Sequence, residues 1–271
     1  MRLLNGRELA DYIKARQAQQ VRALRQAHRV SPKLAIIRTN PDPVVDRYMR
    51  LKQDYGTDIL IDVDVHTIDQ AEAINCITEL NADPTVHGII VQIPLPDPTQ
   101  TEAILNTVAA EKDVDGLAAV TTFDPATPLA INWLLAGYNI ELSAKKIVVV
   151  GHGRLVGRPL VRLWQQSGYD VTVADLKTSD LKALTLQADV LVCATGVPKL
   201  ITADMVKSKA VIVDAGVATD SNGLTGDVAA DVRLLPDITI TPQIGGVGPL
   251  TVCALFDNVI RSARRVADTQ A

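Results

Sequence analysis

A chain of 271 residues has room for two ordinary domains, and 47% hydrophobic but only 3% aromatic residues demand a core of Val, Ile, Leu and Ala. The net charge of −4 comes with no basic stripe, which excludes a nucleic-acid binder. No apolar stretch approaches the ~18 residues of a membrane span, and Met1 to Arg7 lack the apolar segment of a leader, so no membrane partner is expected and a cytoplasmic location is.

Helical and strand patterns alternate along the chain. Gly6 to His28 carries apolar residues at helical spacing, and Lys33 to Ile37 is a short strand. Asp42 to Tyr55 reads as a helix with Pro43 in its first turn, Ile59 to Val65 as a strand, and Gln70 to Leu80 as a helix. Gly88 to Ile93 is continuously apolar and therefore a buried strand, stopped by Pro94, and Thr101 to Ala109 is helical. This βαβαβ order implies a parallel sheet. Residues 114–128, with Gly116, Pro125 and Pro128, form the crossing into a second domain. A helix over Leu129 to Ala136 precedes strands at Lys146 to Val150, Val171 to Ala174, Val190 to Cys193, Ala210 to Asp214 and Ile238 to Thr241. Leu250 to Val266 is a long amphipathic helix. Cys76, Cys193 and Cys253 have no short spacing and form neither a disulfide framework nor a zinc site; the last two sit in apolar runs and read as core residues, and no metal is expected.

The expected fold is therefore α/β: an N-terminal parallel-sheet catalytic domain over 1–120, rejoined by the helix 250–267, and a Rossmann-type dinucleotide-binding domain over 121–249, with a cleft between them.

The segment from Ile147 to Pro159 reads strand, Gly-rich turn, helix. Gly151 permits the tight turn, Gly153 lets a pyrophosphate approach the backbone, and Gly157 lets the helix pack on the strand. The anion would sit at the helix N-terminus, where free N–H groups point. Asp175, at the end of the next strand, stands where a carboxylate can accept both ribose hydroxyls. That carboxylate repels a 2′-phosphate and favours NAD over NADP, while Arg154, Arg158 and Lys177 nearby argue the other way.

In the first half, Tyr48 and Lys52 share a helix face, Gln92 ends a buried parallel strand, and Asp113 and Asp115 occupy the next loop. Taken singly, the helical pair also fits a solvated surface, and Gln92 also fits a satisfied amide at a sheet end.

Together with Val91 to Pro96, Lys112 to Gly116, Thr127-Pro128, Ala194-Thr195-Gly196, Asp214-Ala215-Gly216, Gly226-Asp227-Val228 and Gly245 to Val252, these residues make the chain resemble, nearly end to end, the bifunctional methylenetetrahydrofolate dehydrogenase/methenyltetrahydrofolate cyclohydrolase family. The resemblance implies oxidation of methylene-tetrahydrofolate by hydride transfer to NAD(P), then hydrolysis of the methenyl form to formyl-tetrahydrofolate. It implies Lys52 as the key lysine, Tyr48 as the aromatic over the pterin, Gln92 as the partner of the lysine and Asp115 as the pterin anchor, with Pro94, Gly245, Gly246, Gly248 and Pro249 also lining the substrate. The dinucleotide is expected on Gly151, His152, Gly153, Arg154, Leu155, Gly157, Asp175, Thr195, Gly196 and Val217. A homodimer is implied as well. The chain departs from the family pattern at Val45, Ala126, Gly153, Leu176 and Ile244, and its segments after Lys52 and Gly116 are shortened. A monofunctional NAD-dependent dehydrogenase and a non-catalytic dinucleotide-binding protein are the alternative readings.

Overall fold

The computed structural model describes residues 1–220 and 223–270, without the side chains of Pro43, Val44, Tyr48, Thr219, Asp220 and Gln270. In chain order, the first half holds β1 (Arg2–Leu3), α1 (Gly6–Ala27), β2 (Lys33–Arg38), α2 (Pro43–Asp58), β3 (Asp62–Thr67), α3 (Ala73–Ala82), β4 (Gly88–Val91) and α4 (Thr101–Leu105). Then follow α5 (Ala126–Gly137), β5 (Ile147–Val150), α6 (Gly157–Gln166), β6 (Val171–Ala174), α7 (Leu181–Thr185), β7 (Val190–Cys193) and β8 (Val211–Asp214). The chain ends with β9 (Ala218–Asp220), β10 (Gly223–Thr225), β11 (Thr239–Ile240) and α8 (Val247–Gln270). Two compact units result: Asp11–Ala126 with Val252–Ala271, and Met1–Ala10 with Thr127–Thr251.

The first unit is built on the parallel sheet β3-β2-β4. Leu34, Ala35, Ile36 and Ile37 of the central strand are fully buried, which explains their unbroken apolar run. Ala35, Ile37, Ile89 and Val91 share one core with Ala73, Ile77 and Leu80, the apolar stripe of α3. The chain returns along the free side of β4 through a parallel bridge between Ile89 and Asp113. Several element ends differ from the sequence expectation, two of them for a visible reason. Helix α2 continues through Gly56 to Asp58, because the Gly56 carbonyl accepts the Ile59 and Ile61 N–H groups and Leu60 takes a left-handed φ of 66°. The apolar Ile59 to Ile61 thus forms a helix end, and the strand starts at Asp62. Helix α4 stops at Leu105, since the Asn81 side chain takes the Thr107 carbonyl at 2.7 Å and the Ala109 N–H at 3.0 Å.

The second unit is a six-stranded sheet of order β1-β11-β8-β7-β5-β6, parallel throughout. Val148, Val150, Leu191, Cys193, Ile212 and Ile240 form one face of its core. Strands β6 and β7 lie on opposite sides of β5, so the winding reverses there and opens a crevice at the carboxyl ends of β5 and β7. The sequence reading placed residues 1–10 in the first domain. Instead β1 extends the second unit's sheet, the Arg2 and Leu4 N–H groups binding the Ile238 and Ile240 carbonyls at 2.9 Å. Two residues are too few to show a strand period. Helix α8 starts at Val247 rather than Leu250, placing Gly248 and Pro249 in its first turn, where a proline loses no hydrogen bond. Cys193 and Cys253 are buried, as their apolar surroundings predict.

Candidate active site

In the first unit, α2 follows β2 and carries Lys52, while Gln92 lies just past β4, its N–H bonded to the Ile37 carbonyl at 2.9 Å. Lys52 Nζ donates to Gln92 Oε1 at 2.8 Å. Both side chains are partly buried. Burial pushes the Lys52 pKa down, opposed by the negative charge of Asp115. The Asp115 carboxyl is in turn pushed up by its own burial, against the pull of Lys52. Pro94 follows Ile93 through a cis peptide bond and is exposed, its carbonyl accepting from Asn40 Nδ2 at 3.4 Å. The Tyr48 side chain, expected over the substrate ring, lies outside the described residues.

The two aspartates of the Lys112 to Gly116 segment, equivalent in sequence, do different things. Asp113 is 3% exposed and turned into its own loop, accepting N–H groups of Gly116 at 3.1 Å, Leu117 at 3.4 Å and Ala118 at 2.9 Å. Asp115 feels the charge of Lys52, which works against the effect of its own burial. The loop is pinned further by Asn258 of α8, whose Nδ2 donates to the carbonyls of Val114 at 2.9 Å and Asp124 at 3.0 Å. Sequence reading missed Asn258; its only signal is an amide inside an apolar helix stripe.

In the second unit, the turn after β5 is built as its glycines predict. Gly151 has φ of +100°, and a Cβ there would meet the Ala194 carbonyl oxygen at 2.5 Å. A Cβ on Gly157 would lie 1.9 Å from the Gly151 oxygen, so only glycine lets α6 approach. His152, Gly153, Arg154 and Leu155 run from the end of β5 toward α6, and space beside Gly153 is open. Thr195 and Gly196 follow β7, and Val217 follows β8 with its side chain half exposed. Asp175 directly follows β6 and is exposed, its Oδ1 accepting the Lys177 N–H at 2.9 Å. These residues fit a dinucleotide: a tight turn before a helix N-terminus, open backbone for a pyrophosphate and a solvent-facing carboxylate on the ribose side. Gly245 and Gly246 precede α8, and the Gly245 carbonyl accepts the Arg7 N–H at 3.1 Å.

Comparison with known proteins identifies both halves of the chain. Residues 4–115 match the model of the tetrahydrofolate dehydrogenase/cyclohydrolase catalytic domain, and residues 125–267 match that of the family's NAD(P)-binding domain. The bifunctional protein FolD of Exiguobacterium sibiricum is 38% identical over 97% of this chain and 99% of its own. Among solved structures, the bifunctional FolD methylenetetrahydrofolate dehydrogenase/cyclohydrolase of Campylobacter jejuni superposes with a TM-score of 0.93 at 34% identity, covering 98% of this chain and 99% of that one. The Trypanosoma brucei methylenetetrahydrofolate dehydrogenase-cyclohydrolase, solved with NADP and an inhibitor, gives 0.92 at 27% identity, over 99% and 98% of the two chains.

Proposed function

The chain belongs to the tetrahydrofolate dehydrogenase/cyclohydrolase family, and from that premise we propose that it oxidises methylene-tetrahydrofolate to the methenyl form and hydrolyses that to formyl-tetrahydrofolate. The observation carrying this reading is the bond from Lys52 Nζ to Gln92 Oε1, beside a carboxylate that feels the same amine. The bound dinucleotide supplies the hydride acceptor.

The methenyl carbon is a delocalised cation, and a second positive charge beside it is unfavourable. Burial already lowers the Lys52 pKa, and a bound cation lowers it further. The neutral amine gives one N–H to Gln92 and keeps its lone pair for a water molecule. The water oxygen bonds to the one-carbon centre while its proton passes to Lys52 Nζ. That proton then goes to the folate nitrogen as the carbon–nitrogen bond breaks, and the remaining hydroxyl proton leaves to solvent as the formyl group forms. Gln92, being uncharged, orients the amine without holding it as an ammonium. Asp115, as an acceptor, suits the N–H edge of an aminopyrimidine ring. Hydride transfer needs no acid or base, only close placement of donor and acceptor.

The folate chemistry is assigned to the unit of Lys52, the dinucleotide to the unit of Gly151. NAD is the preferred cofactor on this reading, because Asp175 places a carboxylate on the ribose side. A homodimer and a cytoplasmic location complete the reading, carried by the family resemblance; among the described residues no helix is long and apolar enough to cross a membrane. Sedimentation of the purified protein checks the dimer.

The test follows two signals with purified protein: reduction of NAD or NADP by methylene-tetrahydrofolate, and decay of added methenyl-tetrahydrofolate. Turnover in both, with NAD preferred, is the expected outcome. Reduction without methenyl decay above the uncatalysed rate would leave a monofunctional dehydrogenase, and silence in both channels would refute the reading.

A further inference from the structure

Behind the loops that follow β7 and β8 lies a pair of buried carboxylates. Asp227 is fully buried, and its Oδ2 accepts both the Thr195 N–H at 2.6 Å and the Thr195 hydroxyl at 2.9 Å. The same Thr195 oxygen accepts the Val197 N–H at 3.0 Å, so one carboxylate shapes the turn through Gly196. Asp227 is itself held by Asp214, at the end of β8, which accepts the N–H groups of Asp227 at 3.0 Å, Val228 at 3.1 Å and Gly216 at 3.2 Å. Backbone bonds from Lys199 to Gly226 and from Ile201 to Asp227 lace the same segment to the far end of the β7 loop. Among the described residues, Asp227 Oδ1 has no hydrogen-bond partner, and it presses against Gly216, where a Cβ would lie 2.0 Å away. Burying a carboxylate with one oxygen unmatched is costly. A mere space-filler would be cheaper as an apolar residue, so the cost goes with the two bonds to Thr195.

We infer that Asp227 is a positioning residue for the dinucleotide: through Thr195 it fixes the loop after β7 in the shape that receives the cofactor. The inference rests on the reading of that crevice as the dinucleotide site. Asp227 touches neither reaction's chemistry, and methenyl hydrolysis is assigned to the other unit, so the two activities of one protein separate a positioning role from a general structural one.

The experiment measures dissociation constants for NAD and NADP by titration calorimetry on wild type, Asp227→Asn and Asp227→Ser, together with KM and kcat for cofactor reduction and the rate of methenyl hydrolysis. Loss of one buried bond predicts about tenfold weaker dinucleotide binding in each variant, with KM rising in step and kcat at saturation changing less than about threefold. Methenyl hydrolysis stays within about twofold of wild type. Should Asp227→Asn fail to fold, Asp227→Ser decides, since it removes the unmatched oxygen together with the reach to Thr195. Unchanged dissociation constants in the folded variants overturn the inference, as does a parallel fall of both activities with a lowered Tm. Wild type that binds neither dinucleotide would remove the cofactor reading and the inference together.

Discussion

Lys52 and Gln92, 40 residues apart in the chain, meet at 2.8 Å between a helix and a strand end, and the partner of the amine is a neutral amide rather than a carboxylate. A carboxylate at that place would hold the lysine as an ammonium; the amide leaves burial free to lower its pKa. On the proposed reading, the pair keeps an amine available as a base.

Lys52→Met should reduce methenyl hydrolysis by about 10²–10⁴-fold, the span of general acid–base catalysis, and leave the dinucleotide dissociation constant unchanged. The pH profile gives a sharper check. Hydrolysis by a neutral amine rises as pH climbs through the Lys52 pKa, which lies below the ordinary 10.5. Gln92→Glu places a negative charge beside the amine, favours the ammonium and should move that rising limb to higher pH. A limb that stays in place would remove Lys52 from the role of base.

Much of this site was legible because its residues sit at strand ends and at helical spacing. The continuously apolar run before Gln92 marks a buried strand, and the Gly151 to Gly157 turn marks a strand-to-helix connection. What stayed hidden depends on where backbones turn. Asp113 and Asp115 carry the same group two residues apart, and only the folded loop shows Asp113 turned inward onto the N–H groups of Gly116, Leu117 and Ala118. Asp214 and Asp227 are 13 residues apart and meet because Asp227 is carried back to the end of β8. Strand β1 was invisible, since pairing with β11, not its own composition, makes two residues a strand.

Asp175 supplies the test of cofactor choice. Its exposed carboxylate faces solvent at the end of β6 and would oppose a 2′-phosphate. Asp175→Ser removes the charge and keeps a short polar group. The expected outcome is a gain of about tenfold in kcat/KM for NADP relative to NAD, equivalent to ~1.4 kcal/mol. Equal ratios before and after substitution would show that the carboxylate does not read the ribose.

Lys112 has a structural task within the same segment as Asp115. Its Nζ donates to the carbonyls of Leu80 at 3.0 Å, Asn81 at 2.8 Å and Asp83 at 2.7 Å, capping the C-terminus of α3 with a positive charge. Lys112→Met keeps the apolar stem and strips three acceptors of their donor. Stability should fall by about 1.5–3 kcal/mol, the scale of charged hydrogen bonds, read from urea midpoints. Dinucleotide affinity should not change. A variant as stable as wild type would mean that water replaces the ammonium at no cost.

Asp113 joins the stability of its loop to the placement of Asp115. Its two oxygens take three backbone N–H groups immediately after Asp115, so they set the turn on which Asp115 is presented. Asp113→Asn replaces one acceptor oxygen with a donor facing donors, at a cost of about 1–3 kcal/mol. Methenyl hydrolysis should fall with it, at least about tenfold, while dinucleotide affinity is kept. The pH dependence has a definite sign. Burial raises the Asp113 pKa above 3.8 despite the N–H bonds. Between 3.8 and that raised value the folded protein holds a proton that the unfolded chain has released, so the carboxyl contributes most below 3.8 and loses stability as pH rises through the window. Asparagine does not titrate. The stability gap between wild type and Asp113→Asn should therefore widen on acidification, as urea unfolding across that range would register. A gap that narrows toward acid would mean that the N–H groups outweigh burial and that Asp113 is held as an anion.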